Sequence, residues 1–237
     1  MLDYENAIEV KDLTVRYDGF TLDHVSFDVA KGSIMGFIGQ NGAGKTTTIK
    51  SILNIIKRDE GTIKLLGVDN LKDDLTVKEH VSVVFDEIPF HDQLSAKNLN
   101  IILKHIYRDW DSAVFKEYLE RLALPERKNI ADFSRGMKMK LQIAVALSHN
   151  AKLLVLDEAT SALDSESERL VQQALENLME NRTAIVVAHR LSTVASLDRI
   201  IVIKDGKVAE DGTHRELIER DGEYAKLWDR QTGAFLQ

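Results

Sequence analysis

The 237-residue chain has no cysteine and only two prolines. The first absence excludes disulfides and any thiolate-ligated metal, and it fits a reducing, cytosolic setting. No unbroken apolar run exceeds about half a dozen residues, against the ~20 that a membrane helix needs. No basic segment followed by an apolar stretch opens the chain, so no secretory signal is expected. Charge of one sign is not concentrated either. The 31 Lys and Arg are interspersed with 38 Asp and Glu, for a net charge of -7. That balance argues against nucleic acid or an anionic lipid surface as the main partner. There is no internal repeat and no low-complexity tract. What is present is a hydrophobic fraction of 44%, enough for one large α/β domain, or a core with a small appended subdomain.

The most informative element is Gly39-Gln40-Asn41-Gly42-Ala43-Gly44-Lys45-Thr46, a complete G-x-x-x-x-G-K-[ST] pattern. Gly39, Gly42 and Gly44 let the backbone turn tightly, so that N–H groups of Asn41, Ala43 and their neighbours point at phosphate oxygens. Lys45 brings a positive charge to the β- and γ-phosphates, and the Thr46 hydroxyl can ligate Mg²⁺. The context fits. Ser33 to Ile38 reads as a buried strand, and Thr47 to Ile56 carries apolar residues at helical spacing. A strand, a glycine loop and a helix N-terminus make an anion site, because the helix dipole favours negative charge there.

Around this loop the chain changes character twice. Ile8 to Tyr17 and Leu22 to Val29 alternate as strands joined at Asp18-Gly19, and Thr62 to Leu66 is a further short strand. This opening predicts an antiparallel β-layer feeding a nucleotide-binding core. Leu94 to Asn129 has helical periodicity and no strand signal, with helices over Ser95 to Tyr107 and Asp111 to Leu122, then another over Ser134 to Ser148. Strands return at Leu153 to Leu156 and Ala184 to Ala188, separated by a helix over Asp164 to Met179. Asp205-Gly206 signals a hairpin between Ile200 to Lys204 and Lys207 to Glu210. Two short helices, Thr213 to Arg220 and Glu223 to Arg230, close the chain.

Later residues narrow the chemistry. Leu153 to Leu156 ends in Asp157-Glu158. A carboxylate at a strand's C-terminal edge can hold the magnesium shell, and Glu158 can act as general base toward the attacking water. His189 follows the next buried strand and could donate to the γ-phosphate. Ser134 and Gly136 sit at the start of a helix, where N–H groups are available to an anion. Two phosphate-seeking surfaces on one chain rarely meet on the same phosphate. A head-to-tail homodimer with nucleotide between the copies, closed by two-fold symmetry, resolves this.

By these motifs, in order and over essentially the whole chain, the sequence resembles the ATP-binding-cassette ATPases of ABC transporters. The resemblance implies an α/β P-loop NTPase fold of ABC type, with a mixed central sheet, an antiparallel β-subdomain and an inserted helical subdomain. Residues 1–93 and 150–237 would form the core of a single domain, and 94–149 the helical part. Gly39 to Thr47 stands as the Walker A loop, with Thr47 closing it, and Leu153 to Glu158 as Walker B. Ser134 to Lys138 takes the place of the signature, Ser161 to Asp164 of the D-loop, and His189 of the switch histidine. Tyr17 matches the aromatic residue that stacks on adenine. The implied activity is ATP hydrolysis with Mg²⁺, driving transmembrane transporter subunits from the cytoplasmic face of the membrane. The helical insertion would meet the membrane partner.

The pattern is not followed throughout. The signature reads Phe133-Ser134-Arg135-Gly136-Met137, and the family's glutamine after the strand Val81 to Phe85 falls on Asp86. Asp86 can ligate Mg²⁺ but is shorter and charged. Residues up to about Leu156 have the style of an importer or drug-efflux cassette, and those from Glu158 that of an exporter. Both a recombinant composite joined near the Walker B strand and a natural cassette of mixed character fit. A seam would show as poor packing between the helices at 134–148 and 164–179. An uncoupled cassette that binds nucleotide without driving transport is the alternative function.

Overall fold

The computed structural model describes residues 4–85, 88–157, 179, 182–188 and 191–233, without the side chains of Asp74 and Ser192. The chain separates into two compact units, residues 1–77 with 183–237, and residues 78–182.

The first unit holds two sheets. β1 (Asn6–Tyr17), β2 (Phe20–Ala30), β4 (Glu60–Leu65) and β5 (Val68–Asp69) form an antiparallel sheet in the order β2-β1-β4-β5. This is the expected β-layer. The alternation works as predicted: Ile8, Val10, Leu13 and Val15 of β1 and Val25, Phe27 and Val29 of β2 are all buried. In the second sheet β3 (Ile34–Ile38) lies between β8 (Thr183–Val187) and β9 (Arg199–Lys204), parallel to both, and β10 (Lys207–Gly212) returns antiparallel on β9. Parallel and antiparallel pairs together make it mixed. β3, β8 and β9 are near-continuous apolar runs, as strands covered on both faces are, whereas the edge strand β10 is mostly polar. One face is covered by α6 (Leu191–Val194), α7 (His214–Glu219) and α8 (Glu223–Gly233), whose Leu191, Val194, Leu217 and Tyr224 pack with Ile38, Ile200 and Val202.

α1 (Lys45–Ile52) is shorter than its apolar pattern suggested. Asn54 takes the left-handed conformation, with φ 53°, and the Ile55 N–H turns back to the Lys50 carbonyl at 2.8 Å. That is a helix-ending bond pattern, and it overrides the continuing apolar periodicity of Ile55 and Ile56.

In the second unit β6 (Val81–Val84) pairs in parallel with β7 (Leu153–Asp157). The helices are α2 (Asp74–Lys78), at the boundary, then α3 (Ala96–Ile106), α4 (Ser112–Arg121) and α5 (Arg135–Leu147), with a 3₁₀ turn at Ile130–Asp132. Each long helix starts on a capping side chain. Ser95 and Asn98 form a capping box on α3, and Asp111 Oδ1 accepts the N–H groups of Ala113 and Val114 on α4 at 2.8 and 3.0 Å. Such caps contribute about 1 kcal/mol each.

The expected helix beginning at Asp164 lies outside the described residues, Met179 excepted. The packing that would reveal a seam between two parent cassettes therefore lies outside them too.

Candidate functional site

The chain leaves β3 and takes positive φ at Gly39 (155°), Gly42 (81°) and Gly44 (112°). A Cβ on Gly39 would stand 2.2 Å from the Ile203 carbonyl oxygen. One on Gly44 would stand 2.8 Å from Leu22 Cδ1 and 3.0 Å from Phe20 Cζ. Gly39 and Gly44 are thus required both for conformation and for close packing, and Gly42 for conformation alone. Ala43, Gly44 and Lys45 are buried, whereas Asn41 and Gly42 face solvent.

Lys45 opens α1, and its Nζ donates to the carbonyls of Gly39 at 2.8 Å and Gln40 at 3.1 Å. The ammonium is therefore held within the loop that it serves. No acidic residue occupies the first turn of α1, so the positive end of the helix is left to an anion. Thr48 turns inward, its hydroxyl donating to the Gly44 carbonyl at 2.9 Å; the Thr46 side chain is exposed and Thr47 half-buried. A cradle that side chains would fill, a buried cation and an acid-free first helical turn fit a polyphosphate.

The loop is braced from behind by the β9–β10 hairpin. Asp205 and Gly206 have φ of 47° and 76°, the two-residue turn that suits twisted strands. The Gly206 N–H donates to the Ala43 carbonyl at 3.0 Å, and its carbonyl accepts from the Asp23 N–H at 2.8 Å. A Cβ at Gly206 would stand 2.0 Å from the Thr21 carbonyl oxygen. The turn is legible in the sequence, and this contact is not. No local pattern signals it, because the partners lie far apart along the chain.

Tyr17 ends β1 and is 50% exposed, so it is no core aromatic. It pairs across the Asp18-Gly19 turn with Phe20, whose ring packs against the Gly44 position. One unit thus carries Tyr17 and every phosphate-loop residue from Gly39 to Thr47.

The second unit carries Ser134, Gly136 and Asp157. Ser134 caps α5, its Oγ accepting the Met137 N–H at 3.2 Å. Gly136 is buried and Arg135 exposed. α5 has no acid in its first turn, so this helix start also suits an anion. Asp157 ends the fully buried strand β7 and is itself buried. Asp86, Glu158 and His189 lie outside the described residues, as does the stretch from Ser161 to Asp164.

A model of the ABC transporter family matches residues 22–161, more than half of the chain. The chain belongs to the ABC transporter family. It is 38% identical to an ATP-dependent lipid A-core flippase of Vibrio vulnificus over 97% of this chain and 42% of that protein. It is 37% identical to the flippase of the same name from Francisella tularensis, over 94% of this chain and 39% of the relative. The chain thus spans about two-fifths of the length of these relatives. Among solved structures, a bacterial Atm1-family ABC exporter with ATP bound superposes with a TM-score of 0.83 at 28% identity, over 98% of this chain and 42% of that one. An ATP-binding subunit of an ABC transporter superposes at 0.82 over 95% of this chain and 99% of that one; at 22% identity it speaks to the fold alone. The ABC-type α/β fold and the ATP-binding character of the domain follow from this membership.

Proposed function

We propose that this ABC domain binds and hydrolyses ATP as a head-to-tail dimer, and that closure and opening of the dimer drive a membrane transporter. The phosphate loop carries the reading: its glycine cradle, the Lys45 ammonium bonded into it, and the acid-free start of α1. Lys45 and the loop N–H groups neutralise the β- and γ-phosphate oxygens, where negative charge persists as the terminal phosphoryl group is transferred. The exposed Tyr17 ring stacks on adenine. Glu158 takes the proton of the attacking water, and His189 donates to the γ-phosphate. Thr46, Asp157 and Asp86 would hold a magnesium ion, which would screen the phosphate charge. Ser134 and Gly136 of one copy face the γ-phosphate held by the other, which completes the site. The relatives named as flippases and as an exporter support the transport role and association with a membrane, here placed at its inner face.

Steady-state hydrolysis tests this. Glu158→Gln should lower kcat by at least ~100-fold, the lower end for loss of a general base, while ATP binding persists. Hydrolysis unchanged by that substitution removes Glu158 as the base.

A further inference from the structure

α5 is buried almost all round, from Met139 to Leu147. Helices so placed are normally apolar on every face, and Gln142, only 2% exposed, breaks that rule. Its amide is bound at both ends to a single residue. The Phe85 N–H donates to Gln142 Oε1 at 3.0 Å, and Gln142 Nε2 donates to the Phe85 carbonyl at 2.8 Å. β6 ends at Val84, whose register partner is Leu156. The Gln142 side chain thus takes both backbone groups of the residue that follows the strand.

Two further ties run along the same stripe of the helix. Lys138, one turn earlier, places Nζ 3.4 Å from Asp92 Oδ1. His149, just beyond the helix, places Nε2 2.5 Å from Ser82 Oγ on β6. Seven helical residues rise about 10 Å, as do three residues of strand. The pairs Gln142–Phe85 and His149–Ser82 therefore fasten α5 antiparallel to β6 at matched spacing. The Ser134 end of α5 and the backbone at Phe85 are parts of one stiff body, and the chain continues from Phe85 directly to the position where the family places its glutamine.

We infer that Gln142 is a positioning residue for hydrolysis. It fixes the Phe85 backbone to the helix whose first turn carries Ser134 and Gly136. The inference rests on the ATPase reading. Lys45 and Tyr17 bind ATP in the other unit, so Gln142 governs turnover rather than affinity.

The test compares wild type with Gln142→Met, which keeps length and loses both hydrogen bonds, and Gln142→Asn, which keeps the amide one methylene too short. Measured are kcat, KM for Mg-ATP, melting temperature and hydrogen exchange at the Phe85 amide. The expected result is faster Phe85 exchange, kcat lowered about tenfold, the scale of a small misplacement at a reacting centre, and KM changed by less than about twofold. Should Gln142→Met fail to fold, Gln142→Asn decides by the same signature at smaller amplitude. Unaltered Phe85 exchange overturns the inference, as does full kcat with a deprotected Phe85, or kcat and KM falling together in step with melting temperature. A wild-type protein without turnover defeats the ATPase reading and this inference with it; active wild type with equally active variants defeats this inference alone.

Discussion

The Gly206 N–H donates to the Ala43 carbonyl at 3.0 Å, so the tip of the β9–β10 hairpin is bonded to the backbone of the phosphate loop. A methyl group at Gly206 has no room, since the Thr21 carbonyl oxygen would lie 2.0 Å away, and its φ of 76° disfavours any side chain. Gly206→Ala should therefore cost about 1–3 kcal/mol of stability and weaken ATP binding by loosening the loop. Gly233→Ala, at the end of α8 where a Cβ meets nothing within 4 Å, serves as the control and should lower neither. Thermal unfolding and titration calorimetry with ATP measure the pair.

Tyr17 separates binding from stability. Being half exposed, it contributes little to the fold. Stacking of an aromatic ring on a flat partner is worth about 0.5–1.5 kcal/mol. Tyr17→Ala should raise the ATP Kd about three- to tenfold with a nearly unchanged melting temperature, and Tyr17→Phe should restore it.

Ser134 has an observed role as a cap and a proposed one in the dimer, and one substitution can divide them. Its hydroxyl caps α5, so Ser134→Ala should lower stability by about 1 kcal/mol. In the dimer reading the same hydroxyl faces the other copy's nucleotide. Affinity of the isolated chain for ATP should then stay as in wild type, while ATP-dependent pairing is lost. Calorimetry and sizing read the two effects separately.

His149 sets an acid limb. Burial lowers its pKa from 6.5 to about 4, and its ring stacks on Tyr107 with centroids 4.0 Å apart. The unfolded chain takes up this proton near pH 6.5 and the folded one only near pH 4. The stabilising contribution is therefore complete above pH 6.5 and is lost as pH falls toward 4, by an amount on the order of 3 kcal/mol. His149→Gln should flatten the stability profile over that window in urea titrations at stepped pH.

Much of this was legible in the sequence. The phosphate loop, the β-layer and the helical run after Leu94 all show in local patterns, because glycine spacing, alternation and caps such as Ser95 and Asp111 act within a few residues. The hairpin at Asp205-Gly206 was visible as a turn, but its bond to Ala43 was not. Gln142 reads in sequence as one more polar residue in the signature helix; only the fold brings Phe85 to its amide. The overlong expectation for α1 failed because Asn54 in the left-handed conformation outweighs two further isoleucines.

In the proposed dimer ATP is enclosed between two copies of the chain, and light scattering of Glu158→Gln with and without saturating Mg-ATP addresses that most directly. A doubling of mass on adding nucleotide, abolished by Ser134→Ala, is the predicted result. A protein that holds ATP and keeps the mass of a single chain at every concentration would contradict it.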